Sequence, residues 1–472
     1  MPSKNAEHQI LASPTKRFFV DMLTRDIDLK DAVLDLLDNC VDGLMRSMGR
    51  DFDAKDGAKP YEGFRAEMHF ARDGFQIRDN CGGISLKLAE ESAFRLGRPK
   101  NVDRTEKDIP TVGTYGIGMK RAIFKMGREC EIISRTKKEG FSVKIPRAWF
   151  FDEDDWYLSM TTLTKLPTGI GTSICVKKLL PDVAIRFGNR AAFPAEFEQA
   201  VSQQYSLIIA KGFEVRIDGR LVKPLPLQLR TVNLESYKGG IAPFMYSGTV
   251  DGVHVDLYVG FYQHVPAESE LDEIADKEEY SADEAGWTVI CNDRVVIYRD
   301  KTRLTGWGEA GVPSFHNQFN AIAGVVHFRS NNAALLPVNT TKRGIDPGSD
   351  VYLRVKDRMR EGLKKFTSYT NKLKKLPQKR NEVFSDAVAV NISDLRLPKG
   401  SAFVRQDRKL SGKIFDPDLP AVATTELRTI RFSRPVTQIE LIAKRLLDNP
   451  EAAPGEVGEY CFDRTLRSAE KK

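Results

Sequence analysis

The chain has 472 residues, of which 41% are hydrophobic and 29% charged, so we expect a globular protein of two or three domains. No apolar run has the length of a transmembrane helix and the first residues lack the apolar centre of a secretory signal, which argues against a membrane protein and for a cytoplasmic one. Six scattered cysteines without a CxxC pair argue against a zinc site or a disulfide framework, and the net charge of +7 is too small to identify a polyanionic partner by itself.

The first strong pattern lies in residues 29–45, LKDAVLDLLDNCVDGLM, where apolar residues recur at helical spacing. This predicts an amphipathic helix whose apolar stripe enters a core. Asp35, Asn39 and Asp42 fall at i, i+4 and i+7, on one edge of that helix. A carboxylate, an amide and a second carboxylate on one edge suit a site that holds a magnesium ion beside a water, whereas the ordinary alternative is a solvated polar face.

The next segment alternates apolar and polar residues and predicts a β-hairpin with its turn at Arg72-Asp73-Gly74. Its second strand ends in DNCGGI, residues 79–84. An Asp at a strand end, followed by glycines that let the backbone approach a flat ring, can bind the amino group of adenine. An ordinary Asn-Gly turn is the alternative interpretation.

A long polar loop then leads to GTYGIGMK, residues 113–120, which opens a further helix. Backbone amides of glycines at a helix N-terminus bind anions, and Lys120 adds a full charge. The segment lacks the preceding strand of a dinucleotide-binding fingerprint, and no GxxxxGK[ST] P-loop occurs in the chain. By itself this spacing is a weak signal for phosphate binding.

Further strands are predicted at 130–136, 141–146 and 172–180, and a helix at 194–212 closes the first unit. A second unit opens at FEVRIDGRLV and contains several strands before a long helix from Asp350 to about Lys375. The final segment is often broken by proline and glycine, and one helix is predicted in it, at VTQIELIAKRLLDN.

Taken in order, the acidic helix, the Asp-Gly turn, the long loop, the glycine-rich helix start and Gly171-Thr172-Ser173 before a strand resemble the GHKL superfamily of ATPases. The nucleotide domain of that superfamily is the Bergerat fold. The resemblance implies an α+β protein with a Bergerat-type α/β sandwich nucleotide domain at 1–212 and a transducer-like α/β domain with a basic C-terminal helix at 213–376. A mixed, partly helical C-terminal region at 377–472 would follow, and ATP and Mg2+ would be the cofactors.

By this resemblance, Asp35 takes the place of the general base, usually Glu, that activates the attacking water, and Asn39 that of the magnesium ligand. Asp79 matches the Asp that binds the adenine amino group, and Thr172 matches the Thr that supports its hydrogen bonds. Asp in place of Glu at residue 35 shortens the reach by one methylene, which can slow hydrolysis. Gly83 matches the position beside the base, and the phosphate-binding lid is matched by Gly113, Gly116, Gly118 and Lys120.

The second unit is similar to the transducer domain of the MutL and MORC branch. The loop at 337–344 implies that Lys342 reaches back to the γ-phosphate as a catalytic residue, with Arg343 as the alternative. One departure from the family lies in the first unit, where Cys81 stands in place of the first glycine of the Asp-Gly turn. We therefore expect this turn to take a different path.

The resemblance implies a slow Mg2+-dependent ATPase of MutL or MORC type that forms a homodimer on ATP binding and closes as a clamp on DNA. Residues 354–380 hold eleven Lys or Arg and two acids, a balance of 11 − 2 = +9, so the helix Arg354–Lys375 is the candidate DNA contact. A surface helix with solvated lysines is the alternative.

Two other functions are compatible with the same residues. One is a chaperone-like ATPase that acts on protein partners, with residues 377–472 as a dimerisation or partner-docking segment. The other is a nucleotide-gated binding module with little turnover, which an Asp at residue 35 would allow.

Overall fold

Two compact units make up the chain, one ending at Ala421 and the other beginning at Val422. The larger unit contains two large β-sheets with helices packed on them, and the described part of the smaller unit is largely helical. A computed structural model describes residues 15–49, 59–95, 117–152, 155–164, 169–265, 284–339, 344–374, 382–405, 410–421, 430, 432–450 and 452–470.

The first sheet has eight strands in the order β5-β4-β3-β6-β2-β1-β7-β8. Neighbouring strands are antiparallel except β1 and β7, which run parallel. The strands are β1 (Arg65–Ala71), β2 (Gly74–Asp79), β3 (Gly127–Arg135), β4 (Gly140–Ile145), β5 (Met160–Thr162), β6 (Gly171–Leu179), β7 (Glu214–Ile217) and β8 (Arg220–Leu221). The predicted hairpin is confirmed, because β1 and β2 pair with Ala71 opposite Gly74. Strands β7 and β8 follow residue 212 and still belong to this sheet, because β7 pairs along β1.

Helix α2 is the central helix of the first layer and begins at Asp28, whose side chain accepts the N–H of Lys30 at 2.8 Å. Its apolar residues Leu37, Val41 and Leu44 are fully buried in one core with the inner face of the sheet. The helices of this layer are α1 (Lys16–Arg25), α2 (Leu29–Met48), α3 (Leu86–Leu88), α4 (Gly118–Met126), α5 (Pro181–Gly188), α6 (Phe193–Gln204) and α7 (Ser206–Ala210). The sandwich of helices on a mixed sheet therefore forms around the predicted acidic helix.

The second sheet has seven strands in the order β13-β12-β14-β11-β10-β17-β16. They are β10 (Phe244–Val250), β11 (Val253–Phe261), β12 (Gly286–Cys291), β13 (Arg294–Asp300), β14 (Ile322–Arg329), β16 (Ala402–Arg405) and β17 (Leu410–Phe415). A separate ribbon pairs β9 (Gln228–Thr231) with β15 (Val388–Asn391). Residues 388–415, which we expected in the C-terminal region, thus supply strands to the larger unit, because β15 and β17 find partners in β9 and β10.

One long helix, α8 (Asp350–Leu373), covers a face of the second sheet. Gly362 lets it approach closely, since a Cβ there would lie 2.2 Å from Cγ1 of Val259 on β11. The helical spacing of the sequence puts Val351, Val355, Met359, Leu363 and Phe366 on one face of the predicted helix, and the burial of all five confirms this.

The smaller unit contains α9 (Val436–Ile442), where a helix was predicted, and α10 (Pro454–Glu470). Ala443, Ala452 and Val457 form its small core. None of the described helices has the length and apolar character needed to cross a membrane. The predicted fold class is confirmed: an α/β sandwich is followed by a second α/β region and a partly helical C-terminal region.

Candidate active site

The acidic edge of α2 is buried. Asp35, Asp38 and Asp42 are exposed by only 2%, 0% and 4%, so a solvated polar face is the wrong interpretation of this edge. Burying carboxylates is costly unless cations or hydrogen-bond donors serve them. The partners of these acids therefore define what this part of the helix can do.

Asp35 lies under the start of α4. Arg121 on α4 donates from Nη2 to Asp35 Oδ2 at 2.5 Å, and both side chains are largely buried. Gly118 packs directly above it, because a Cβ at that position would lie 3.3 Å from Oδ2. In this arrangement Oδ2 is engaged by a cation, and Arg121 competes with a water for that oxygen.

Asn39 lies one turn further along α2 than Asp35. Its amide Nδ2 is buried and meets no hydrogen-bond partner among the described residues. An unsatisfied buried amide is unfavourable, and a ligand that binds at this position would satisfy it. The amide oxygen is a ligand type that Mg2+ accepts, and the two ends of the amide exchange by a flip about the last side-chain bond. The side chain therefore fits a magnesium ligand.

Within the described part of the chain, no group of three or more His, Cys, Asp or Glu side chains is arranged to hold a metal ion. Mg2+ commonly keeps several waters and binds through one or two protein groups together with substrate phosphates. A single amide at Asn39 is therefore consistent with a metal that arrives with a nucleotide.

Asp79 ends β2 close to α2. Its Oδ1 accepts the backbone N–H groups of Cys81 at 2.7 Å and Thr172 at 3.3 Å, and Cys40 Sγ lies 3.6 Å from Oδ2. Burial raises the pKa of Asp79 to about 6, although the two backbone donors oppose the shift. Burial, together with the neighbouring Asp79, also raises the pKa of the Cys40 thiol, which keeps this group neutral.

The turn after Asp79 is held by glycines and hydroxyls. Gly83 has φ of +73°, and a Cβ there would lie 2.1 Å from the carbonyl oxygen of Arg135 on β3, so only glycine fits. Ser134 Oγ accepts the N–H of Ile84 at 2.8 Å and lies 2.9 Å from Thr172 Oγ1. This network joins the turn to β3 and β6. It keeps the Asp79 carboxylate in a fixed position.

Of the other predicted site residues, Lys120 is described but bonded elsewhere, and three lie outside the described residues. Lys120 is buried and donates from Nζ to the carbonyls of Ala93 at 2.9 Å and Arg95 at 2.6 Å. Burial lowers its pKa to about 8. To reach a phosphate, this side chain would have to leave both carbonyls. Three further predicted site residues lie outside the described residues: Gly113, Gly116 and Lys342.

Sequence reasoning missed three contributors to this site. Arg121, next to Lys120, binds Asp35, and Ser134 on β3 carries the hydroxyl network. Gly43 lets the turn reach α2, because a Cβ there would lie 2.8 Å from the Cys81 carbonyl oxygen. An isolated glycine inside a helical pattern often has a packing reason, so Gly43 carried a usable signal. Arg121 and Ser134 belong to no sequence pattern that would have indicated their roles.

The candidate DNA-contact helix α8 carries fewer available cations than its sequence suggests. Lys364 and Lys372 are exposed. Five other basic side chains lie within 4 Å of an acid: Arg354 near Asp251, Lys356 and Arg360 near Glu309, Arg358 near Glu361, and Lys365 near Asp416. Lys375 lies outside the described residues. The positive charge of this stretch is therefore partly offset by acids around it.

The buried acid-and-amide edge of α2 and the turn after Asp79 thus lie in one α/β sandwich. Residues 27–170 match the family model described as histidine kinase-, DNA gyrase B- and HSP90-like ATPase. The match supports assignment of this domain to the GHKL superfamily and, with it, ATP binding and hydrolysis. A comparison with curated proteins finds no match.

Proposed function

We propose that this protein is a slow Mg2+-dependent ATPase of MutL or MORC type, which dimerises when it binds ATP and closes as a clamp on DNA. The observation that carries the ATPase proposal is the buried edge of α2, where Asp35 and Asn39 lie in the domain that also fixes Asp79. Buried polar groups without a structural need for them are characteristic of sites that meet a ligand.

Each described residue has a defined task in this proposal. Asp79 accepts the amino group of adenine, and Thr172 holds that carboxylate in place. Asn39 would hold Mg2+, which would supply positive charge that stabilises the phosphates. Asp35 takes the proton of the attacking water once Arg121 has left its Oδ2. Positioning and charge, rather than covalent chemistry, account for the rate.

A second candidate function, a nucleotide-gated module with little turnover, is favoured by one specific observation. The ion pair between Asp35 and Arg121 engages one of the two carboxylate oxygens of the proposed base. A protein that keeps this pair while nucleotide is bound would hold ATP and hydrolyse it rarely. Turnover measured with saturating ATP distinguishes this function from the slow ATPase.

The dimer and the DNA partner rest on other features. In the smaller unit, Val436, Leu441, Tyr460, Phe462 and Leu466 are exposed apolar side chains on two helices, which supports docking of a second copy there. A contact between α8 and DNA phosphates rests on Lys364 and Lys372. A chaperone-like ATPase would instead be stimulated by unfolded protein and not by DNA.

The ATPase is tested with two substitutions on α2. We expect Asp35→Asn to lower kcat by about 100-fold or more while ATP binding is kept, because the base is lost; the ion pair with Arg121 is lost too, so thermal melting is measured alongside. Asn39→Ala should remove the Mg2+-dependent part of ATP affinity, measured by titration calorimetry with and without Mg2+. Asp31→Asn, in the first turn of the same helix, is the matched control. Undiminished turnover in both site variants would contradict the assignment.

A further inference from the structure

The turn between β12 and β13 contains charged residues that are buried. The hairpin tip, residues 292–294, contains Asn292 and Asp293 with φ of 45° and 65°, the backbone of a tight two-residue turn. Asn292, Asp293 and Arg294 are exposed by only 1%, 0% and 1%. A charged turn normally faces water. Here it is buried against the first layer, so its partners must explain it.

Arg294 reaches α2. Its Nε donates to Asp38 Oδ1 at 2.9 Å, and its two Nη atoms donate to the carbonyl and side-chain oxygens of Gln204 at 3.1 and 2.7 Å. The guanidinium carbon lies 4.1 Å from the centre of the Tyr205 ring. Tyr205 also donates its hydroxyl to Asp38 Oδ1 at 2.5 Å. Asp38 is therefore held by Tyr205 of the first layer and by Arg294 of the second sheet at the same time.

Asp38 lies on the same turn of α2 as the candidate site residues. It precedes Asn39 directly and follows Asp35 by three residues. A helix turn is stiff, so the position of the Asp38 carboxylate sets the height and rotation of its neighbours. A movement of the second sheet that displaces Arg294 would displace this turn.

A second anchor fixes the hairpin tip elsewhere. Asp293 accepts Lys211 Nζ at 2.6 Å and Tyr61 Oη at 2.7 Å, and His327 Nε2 lies 3.1 Å from it. Lys211 and Tyr61 belong to the layer of α2 but not to α2 itself, and His327 lies on β14 of the second sheet. Each of the two anchors is an ion pair made by a buried residue of the hairpin tip, and only the Arg294 pair contacts the helix of the site. They form a natural pair for comparison.

We propose that Arg294 is a positioning residue of the ATPase site, through which the second sheet sets the placement of Asn39 and Asp35. The inference rests on the proposed ATPase function and adds the route by which the second sheet acts on it. Removing one partner of a buried ion pair costs stability wherever it lies, so a loss of stability alone does not distinguish positioning from fastening. Turnover and the Mg2+ dependence of nucleotide affinity distinguish the two roles.

The test compares Arg294→Gln, Arg294→Lys and the matched control Lys211→Met in the full chain. We expect both Arg294 variants to lower kcat at least tenfold and to weaken the Mg2+-dependent part of ATP affinity, with Mg2+-free affinity changed less than twofold. Lys211→Met should lose comparable thermal stability and keep kcat within twofold. Tyr205→Phe, which removes only the hydroxyl on Asp38, should give an intermediate loss of kcat and covers the case in which Arg294 variants do not fold.

Two results would overturn the proposal. One is wild-type kcat and Mg2+ dependence in the Arg294 variants and in Tyr205→Phe. The other is a loss of kcat in Lys211→Met as large as in Arg294→Gln, since fastening of the hairpin would then explain both. If wild-type protein itself shows no turnover, the ATPase proposal fails separately, and the Mg2+-dependent increment of ATP affinity still decides the role of Arg294.

Discussion

The buried Asp79 carboxylate lowers the stability of the folded protein. Its pKa of about 6 means that burial disfavours the ionised form, even though two backbone N–H groups point at it. Between the ordinary pKa and 6 the folded state binds more protons than the unfolded state, so this group makes the protein less stable as pH rises through that window. A residue that lowers stability at neutral pH is typical of a binding site.

Adenine affinity should follow the ionisation of Asp79. Above pH 6 the carboxylate is charged and accepts the amino group strongly, while below pH 6 the neutral acid accepts it less well. We expect ATP affinity to fall about tenfold from pH 7.5 to pH 5, in line with the difference of about 1 kcal/mol or more between charged and neutral hydrogen bonds. Calorimetric titration at several pH values measures it.

Asp79→Asn is the matched control for this pH dependence. Its side-chain oxygen can still accept the N–H groups of Cys81 and Thr172, and no charge is buried. The variant should bind ATP weakly at every pH and melt at a higher temperature than wild type at pH 7.5. Equal pH dependence in both proteins would show that another group, or ATP itself, is the one that titrates.

At the scale of elements, α4 rests on the site helix through one ion pair. Arg121 ties the first turns of α4 to Asp35 on α2, and Gly118 allows the close approach. If this pair holds the base out of use, Arg121→Gln should raise kcat several-fold at saturating ATP. It should also lower stability, by about 3–5 kcal/mol at most, because a buried carboxylate loses its cation.

Arg121→Lys separates charge from geometry in this experiment. Lysine keeps a cation near Asp35 but lacks the planar guanidinium, so we expect kcat close to that of wild type and a smaller loss of stability. Turnover and thermal melting of the two variants are compared in the same buffer. A fall in kcat for Arg121→Gln would mean that Arg121 assists the reaction and does not restrain it.

The parts of the molecule that were predictable from sequence are those whose signal is local. The β1–β2 hairpin, α2 and the apolar face of α8 follow from periodicity and turn residues within a few turns or strands of one another. Asp79 was predictable because it ends a strand shortly before two glycines, whereas Thr172 followed only from the family resemblance; the structure brings the N–H of Thr172 to 3.3 Å from Asp79 Oδ1.

The remaining contacts depend on residues far apart in the chain. Arg121 pairs with Asp35 across 86 positions, and Arg294 pairs with Asp38 across 256. A single arginine carries no periodicity, so nothing local shows which acid it will meet. The parallel pairing of β7 with β1 is hidden for the same reason, since β7 reads as an ordinary strand and its partner is set by the fold.

At the scale of the whole molecule, the proposed clamp requires nucleotide-dependent assembly. The larger unit connects its two sheets through the hairpin tip, and the smaller unit exposes apolar side chains suited to a second copy. If ATP closes a dimer around DNA, binding of a non-hydrolysable ATP analogue with Mg2+ should double the mass in solution. Wild-type protein with the analogue but without Mg2+ should stay monomeric, because no metal is present to bind Asn39. The Asn39→Ala variant with analogue and Mg2+ should also stay monomeric, because the metal ligand is missing.

Closure around DNA has a consequence that ordinary binding to a charged surface lacks. A closed ring retains circular DNA when salt is raised, whereas contacts of Lys364 and Lys372 with phosphates weaken steeply with salt on any DNA. We expect analogue-bound protein to remain on nicked circular DNA through a 0.5 M salt wash and to leave the same DNA once it is cut to a linear form. Lys364→Glu with Lys372→Glu should slow loading without shortening retention on the circle. Loss from circular and linear DNA at the same rate, or a mass that stays monomeric with analogue and Mg2+, would contradict the clamp.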